Sequence, residues 1–387
     1  MEKRELIYLD NAATSFPKPY AVSEAVKHYM LYCGGNPGRG GYPTAIEAGQ
    51  SVFKCREKLA RFFDADSENV PFFTMNTTQG INLCIKGYLR RGDHVLISNI
   101  EHNAVYRPIY KLSQRGQISY DTFDVFSNGD LMSVDEILSD ISKKVRKNTR
   151  MLICTAASNI SSLHPPIEQI GELCQKRGIF FLVDGAQGAG HFDISVRKMN
   201  IDALCVPGHK GLLGPQGCGA VVFGKEHLLQ TLHEGGNGVD SLLGDMPEYL
   251  PERYEAGTLP VPAIVGLCEG IDAVTQIGVQ NIVIHEKILF ERARDGLQKI
   301  NGVKVFCPEH TGSVLLFSVE GVDSERVAEY LSNKGICVRG GYHCAALAHK
   351  ALGTIDSGAV RISFGVFSND ADIEALCDAL KTFKKNF

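Results

Sequence analysis

The chain of 387 residues lacks any uncharged apolar stretch near the ~18 residues that a membrane-spanning helix requires. Its opening, MEKRELIYLDNAATS, holds several charges and a short apolar run, so neither a transmembrane segment nor a secretory signal is expected. It also lacks runs of one charge sign: 40 basic and 44 acidic residues leave a formal net charge of −4. That balance argues against nucleic acid or a membrane surface as the main partner. Among twelve cysteines there is no CxxC pair and no regular spacing, which excludes a disulfide framework. Most sit in apolar runs such as MLICTAAS and DALCVPG and read as reduced, buried small hydrophobes, so a cytoplasmic setting is expected. Internal repeats, low-complexity tracts and long linkers are missing too, and the length predicts two to three closely packed units.

What is present is an alternation. NVPFF, HVLISN, MLICTAAS, IFFLVDGA and GAVVFG are continuous apolar runs, the pattern of strands buried on both faces. Helical patterns lie between them, among them Thr44 to Phe63 and Ile167 to Arg177. This order predicts an α/β fold with a mostly parallel sheet. The character changes near YEAGTLPVPAI, where a boundary is placed close to residue 260. A long helix is predicted from Ala263 to Ile300, followed by strands in VKVFCP, SVLLFSVEG and AVRISFGVFS and a closing helix, a smaller α+β unit.

Lys210 stands in CVPGHKGLLGPQGCG, a stretch with five glycines. A phosphate loop of the GxxxxGK[ST] type is excluded, because Gly211 follows the lysine. Upstream by 26 residues, Asp184 closes the apolar run FFLVD, at the carboxyl strand edge where open α/β sheets bind ligands. Singly, Asp184 reads equally as a helix cap and Lys210 as a solvated loop lysine. Paired at adjacent strand ends, they match the use of a lysine as Schiff-base partner of pyridoxal 5'-phosphate (PLP), with a carboxylate on its protonated ring nitrogen. Thr78, after FFTMN, offers a hydroxyl and a helix start for a phosphate, and His102, after HVLISNIE, offers an imidazole to stack on the ring and handle protons. Cys344 is the one cysteine in a polar, glycine-flanked stretch, RGGYHCA, where Arg339 and His343 would favour its thiolate. His343, Cys344 and His349 match no common zinc spacing, so no metal is expected.

YLDNAATSFPKP, TTQGIN, EHNA, VDGAQ, GHKGLLGPQG, YEAGT and RGGYHCA occur in the order found in class V PLP-dependent enzymes. Over almost the whole chain the sequence resembles the group II cysteine desulfurases and selenocysteine lyases of that class. The resemblance implies the fold-type I architecture: a mainly parallel seven-stranded sheet in a large domain, residues 16–260, and a small domain from 1–15 and 261–387 that carries Cys344 and Arg361. It also implies PLP as cofactor. Lys210 would be the Schiff-base lysine, Asp184 the ring-nitrogen partner, Gln187 a donor to the phenolic oxygen with Asn159 nearby, and His102 the stacked imidazole. Thr78 and His209 would hold the phosphate, and Thr258 would reach that of a neighbouring subunit, which implies a homodimer. Cys344 would take sulfur from L-cysteine, or L-selenocysteine would be cleaved, with release of alanine and delivery to a sulfur-acceptor protein. Arg361 would pair with the substrate carboxylate, with Arg39 as a further active-site cation. A class V C–S lyase or aminotransferase that does not need Cys344 is the alternative, followed by a non-catalytic PLP-binding or sulfur-carrying partner.

The sequence departs from that pattern at four places. Pro207 stands where a small hydroxyl residue often helps hold the phosphate, Gln79 replaces a common glutamate, and Tyr342 replaces a histidine before HCA. Cys344 and Arg361 are 17 residues apart, about two more than the family spacing.

Overall fold

The structure, a computed structural model, describes residues 6–38, 40–66, 70–127, 130–225 and 227–383. The predicted apolar runs, joined by one further strand, form a seven-stranded sheet in the order Phe72–Thr74, Gly219–Phe223, Ala203–Pro207, Phe180–Asp184, Thr149–Thr155, His94–Ser98 and Ser119–Phe123. Only Gly219–Phe223 runs antiparallel to its neighbours. The five-residue strands at 94–98, 180–184, 203–207 and 219–223 are buried at every position, because helices cover both faces. The edge strand Ser119–Phe123, sequence SYDTF, was not predicted; its half-buried, polar pattern carries no continuous apolar signal.

Helix Ile167–Arg177 has the predicted bounds, and Pro43–Phe62 is shifted by one residue from its prediction. The latter starts with proline at its first position, where no N–H is needed. Its Ala45, Ala48, Val52, Cys55 and Leu59 recur at three- and four-residue steps and enter the main core. Burying Val52 and Leu59 stabilises the packing by roughly 1.5–3 kcal/mol each.

The long helix expected over 263–300 is two helices, Val261–Ile277 and Val279–Gln298, bent by 77°. Gly278 sits at the break with φ 85°, a conformation open to glycine at little cost. Val261, Ile264, Leu267 and Ile271 belong to the core of the large sheet, whereas Leu289, Phe290, Ala293 and Leu297 belong to the second core. The two helices therefore join different cores, with the break between them at Gly278. The second core packs on a three-stranded antiparallel sheet of Val303–Phe306, Val314–Val319 and Val360–Ser363, with the closing helix Asp370–Phe383. The N-terminal segment joins it: Ile7–Tyr8 pairs in parallel with Ile336–Cys337. Among the described residues no single helix is long and apolar enough to cross a membrane.

Candidate active site

Five parallel strands aim their carboxyl ends at one pocket, lined among others by Thr78, His102, Asn159, Asp184, Gln187 and Lys210. Asp184 ends its strand and the others lie three or four positions beyond theirs, so sheet geometry gathers groups spread over more than a hundred residues. Thr77 opens helix Thr77–Tyr88, whose cap is Asn76; the cap side chain accepts from Gln79 N–H at 2.9 Å. Gln79 in turn accepts from the Met75 N–H at 2.7 Å, a reciprocal cap that a glutamate would make equally. The remaining first-turn N–H groups, with the exposed Thr78 hydroxyl, form an anion-ready end. Pro207 closes its strand and lines the pocket without adding a donor.

His102 caps the helix Asn103–Gln114, its Nδ1 accepting from Ala104 N–H at 3.0 Å. The neutral ring therefore carries its proton on Nε2. Burial, then the positive charge of Lys210, pushes its pKa down to about 4. Lys210 itself is held down to about 8, first by burial and then by Arg361, with Asp184 opposing. Asp184 is almost fully buried, accepts from Ala186 N–H at 2.9 Å, and is raised by burial against the pull of Lys210.

The segment before residue 20 builds more of this site than its motif suggested. The carbonyl of His209 accepts from Ser15 N–H at 3.0 Å, Thr14 Oγ1 at 3.1 Å and Lys18 Nζ at 2.8 Å, and Ser15 Oγ donates to the Lys210 carbonyl at 2.9 Å. In the Lys210 loop, Gly211 is required by close protein packing. A Cβ on Gly211 would stand 2.2 Å from the Ala189 carbonyl oxygen, and Gly211 lies outside the pocket lining. Glu101 was not singled out in the sequence, since a glutamate before His102 gives no local signal. It is fully buried, accepts from Ser98 Oγ and Thr155 N–H, and is raised to about 8 by burial and by Asp184.

Whether a cofactor suits these residues is answered by their unpaired atoms. Thr77 Oγ1, Asn159 Oδ1, Gln187 Oε1 and His209 Nδ1 are buried without partners, and all four residues line the pocket. Buried polar atoms are rarely left so unless a ligand or water meets them. Gln187 and Asn159 each spend one amide N–H elsewhere, on Ala12 O at 2.9 Å and His343 O at 2.8 Å, and retain a second. The donor set, buried lysine and buried carboxylate fit PLP.

Arg361 is buried and donates to Asp10 Oδ1 at 2.6 Å and to Asn159 O at 3.2 Å. Arg339 pairs with it through the backbone, while its own side chain is exposed. Cys344 is the one exposed cysteine of the twelve; ten are buried and none is bonded to another. His343 and Cys344 have φ of 52° and 55°, the left-handed centre of a turn closed by Ala345 N–H to Tyr342 O at 2.9 Å. Asn103 N–H donates to Cys344 O at 2.7 Å, which brings this turn against the helix that His102 caps. His343 does not supply the positive charge expected beside the thiol: it is buried, and burial and Arg361 lower its pKa to about 3. The half-exposed Tyr342 ring meets His349 edge-on at 5.6 Å. The segment between Cys344 and Arg361 includes the short helix Ala346–Ala351. Thr258 is exposed and outside the lining of its own pocket, and Arg39 lies outside the described residues.

A profile described as Aminotransferase class-V matches residues 7–376. The chain is 33% identical over 390 residues to a probable cysteine desulfurase of Methanothermobacter thermautotrophicus, covering 98% of this chain and 94% of that protein. A probable cysteine desulfurase of Halalkalibacterium halodurans is 32% identical, with 99% and 94% covered. The apo structure of a Thermococcus onnurineus cysteine desulfurase superposes with a TM-score of 0.89 at 29% identity, covering 99% of this chain and 95% of that one. With the sheet, the pocket and these likenesses in agreement, the chain belongs to the class-V aminotransferase family of fold-type I PLP enzymes and is related to the cysteine desulfurases.

Proposed function

We propose that this protein is a cysteine desulfurase that forms a persulfide on Cys344, releases alanine and passes the sulfur to an acceptor protein. The observation that carries this reading is the position of Cys344: an exposed thiol on a left-handed turn, tied by its carbonyl to Asn103 N–H beside the pocket. A non-glycine residue held in that region costs of order 1–3 kcal/mol and is typical of functional sites.

Lys210 would anchor PLP, Asp184 would hold the proton of the ring nitrogen, and Gln187 with Asn159 would face the phenolic oxygen. The helix start at Thr77 and Thr78, with His209, would take the phosphate. Bound there, PLP supplies an electron sink for charge developing at the substrate α-carbon. His102 keeps a flat, neutral ring in the pocket with its proton on Nε2. Arg361 offers its guanidinium to the substrate carboxylate in a buried setting, where a charge-assisted pair is strong. The Cys344 thiolate attacks the substrate sulfur; the S–S bond forms as the carbon–sulfur bond breaks. The electron pair of that bond stays with the substrate carbon, which takes a proton and leaves as alanine. No external oxidant is needed, because the persulfide keeps the oxidation level that alanine loses.

Completion of the site by a second copy belongs to the same reading. Thr258 is exposed, as are the apolar side chains of Met30, Leu31, Tyr32 and Phe53, the kind that a homodimer covers.

The test is alanine release by PLP-loaded protein with L-cysteine and with L-selenocysteine, comparing wild type and Cys344→Ala. Cysteine turnover that disappears in the variant supports the proposal. Turnover of selenocysteine alone replaces it by a lyase, and cysteine turnover retained in the variant removes Cys344 from the mechanism.

A further inference from the structure

Beneath the Cys344 turn lies a chain of three buried side chains that the reaction itself does not use. His343 Nε2 is 3.0 Å from the Arg339 carbonyl, His343 Nδ1 is 3.1 Å from His349 Nε2, and His349 Nδ1 is 2.7 Å from Thr354 Oγ1. His343 is 3% exposed, His349 0% and Thr354 2%, so water does not complete these bonds.

The chemistry of the end group sets the direction of every bond. A carbonyl only accepts, so His343 Nε2 carries the proton. The neutral ring then has a lone pair on Nδ1, which obliges His349 Nε2 to donate. His349 Nδ1 is thereby an acceptor, and Thr354 Oγ1–H donates to it. The Thr354 hydroxyl also has the His349 carbonyl within 3.4 Å, a longer and weaker alternative. The result is a one-way series from Thr354 to the backbone of Arg339, whose N–H and C=O pair with Arg361 at 3.1 and 2.8 Å.

We propose that Thr354, His349 and His343 are positioning residues that hold the Cys344 turn in register with Arg361, so that thiol and bound substrate meet correctly. This rests on the reading of Cys344 as the sulfur-accepting nucleophile. Two consecutive non-glycine residues in the left-handed region persist only where their surroundings over-determine them. Here the constraint comes from three sides: the imidazole chain under His343, Asn159 Nδ2 on the His343 carbonyl, and Asn103 N–H on the Cys344 carbonyl. Thr354 lies ten residues beyond Cys344, past the short helix, so its influence passes through the two rings.

The experiment compares Thr354→Val and Thr354→Ser in the PLP-loaded protein. Thr354→Val keeps the shape but loses the donor, and is expected to lower kcat for alanine release from L-cysteine about tenfold to a hundredfold at unchanged KM, the scale set by a misplacement near 1 Å. Thr354→Ser restores the hydroxyl and is expected to restore kcat. In apo protein, backbone hydrogen exchange over residues 342–346 should quicken in Thr354→Val while exchange in the large sheet stays unchanged. Wild-type kcat in Thr354→Val overturns the proposal, as does a loss that serine fails to restore. If Thr354→Val loses protection throughout the sheet, His349→Gln decides: it removes the Nδ1 acceptor and cuts the series at the same link, so a tenfold fall in kcat with sheet protection intact supports the proposal and wild-type kcat overturns it. Should wild type itself desulfurate cysteine without needing Cys344, the underlying reading fails instead, and the exchange measurement separates that case.

Discussion

The guanidinium of Arg361 bonds Asp10 at 2.6 Å, joining residues 351 positions apart, while its Nε stays buried without a partner. The N-terminal segment thus supplies a resident counter-ion to the group proposed to take the substrate carboxylate. Replacing Arg361 with lysine removes the planar fork, and KM for L-cysteine should rise about tenfold to a hundredfold, the value of a charge-assisted bond of roughly 1.5–3 kcal/mol. Asp10→Asn should lower folding stability by about 1–3 kcal/mol, because the buried guanidinium loses its charge partner. Steady-state kinetics and urea unfolding check the two expectations.

Lys210 is held down to about 8, so its neutral, nucleophilic form grows as pH rises through that value rather than through the ordinary lysine range. The rate at which apo protein takes up PLP, followed by visible absorbance, should climb between pH 7 and 8.5 and level off above. Lys210→Ala should lose the lysine-linked absorbance band and lower alanine release by at least about 10³-fold, within the range found for positioned acid–base groups. A pH profile rising only above pH 10 would contradict the assignment.

Arg56 grips Glu255 through both guanidinium nitrogens, and Glu255 also accepts from Phe73 N–H at 2.6 Å. Both side chains are buried, and the pair fastens the YEAGT segment that ends at Thr258 to the large sheet. Glu255→Ala strands a buried cation and should cost about 3–5 kcal/mol of stability. Chemical denaturation of wild type and variant measures it.

His349 is buried and lowered to about 4 by burial, against an ordinary value of 6.5. Because its folded pKa lies below the unfolded one, its contribution is complete above pH 6.5 and is lost as pH falls toward 4. This group alone should remove roughly 2 kcal/mol between pH 7 and pH 5, and His102 and His343 act in the same direction. Unfolding midpoints across that interval should fall, and less steeply in His349→Gln.

Much of the large sheet was legible in the chain because a strand buried on both faces must be apolar throughout, as FFLVD and GAVVF are. The edge strand SYDTF escaped, since a strand with one neighbour and partial exposure tolerates polar residues. The bend at Gly278 escaped because apolar spacing continues on both sides of it; only the two different cores divide the helices. At the site, Lys210, Asp184 and His102 were legible as residues at or just past strand ends. Asp10, Ser15, Lys18 and Glu101 were not, because their partners lie far away in sequence.

Hydrophobic periodicity and strand-end position are local properties, so the sequence alone determined the α/β alternation and which side chains reach the carboxyl edge of the sheet. Protonation states and hydrogen-bond direction depend on neighbours brought together only by packing. The neutral His343, read in the chain as a cation beside Cys344, is the clearest case. Burial beside Arg361 removes its charge, and the Arg339 carbonyl and His349 fix where its proton sits.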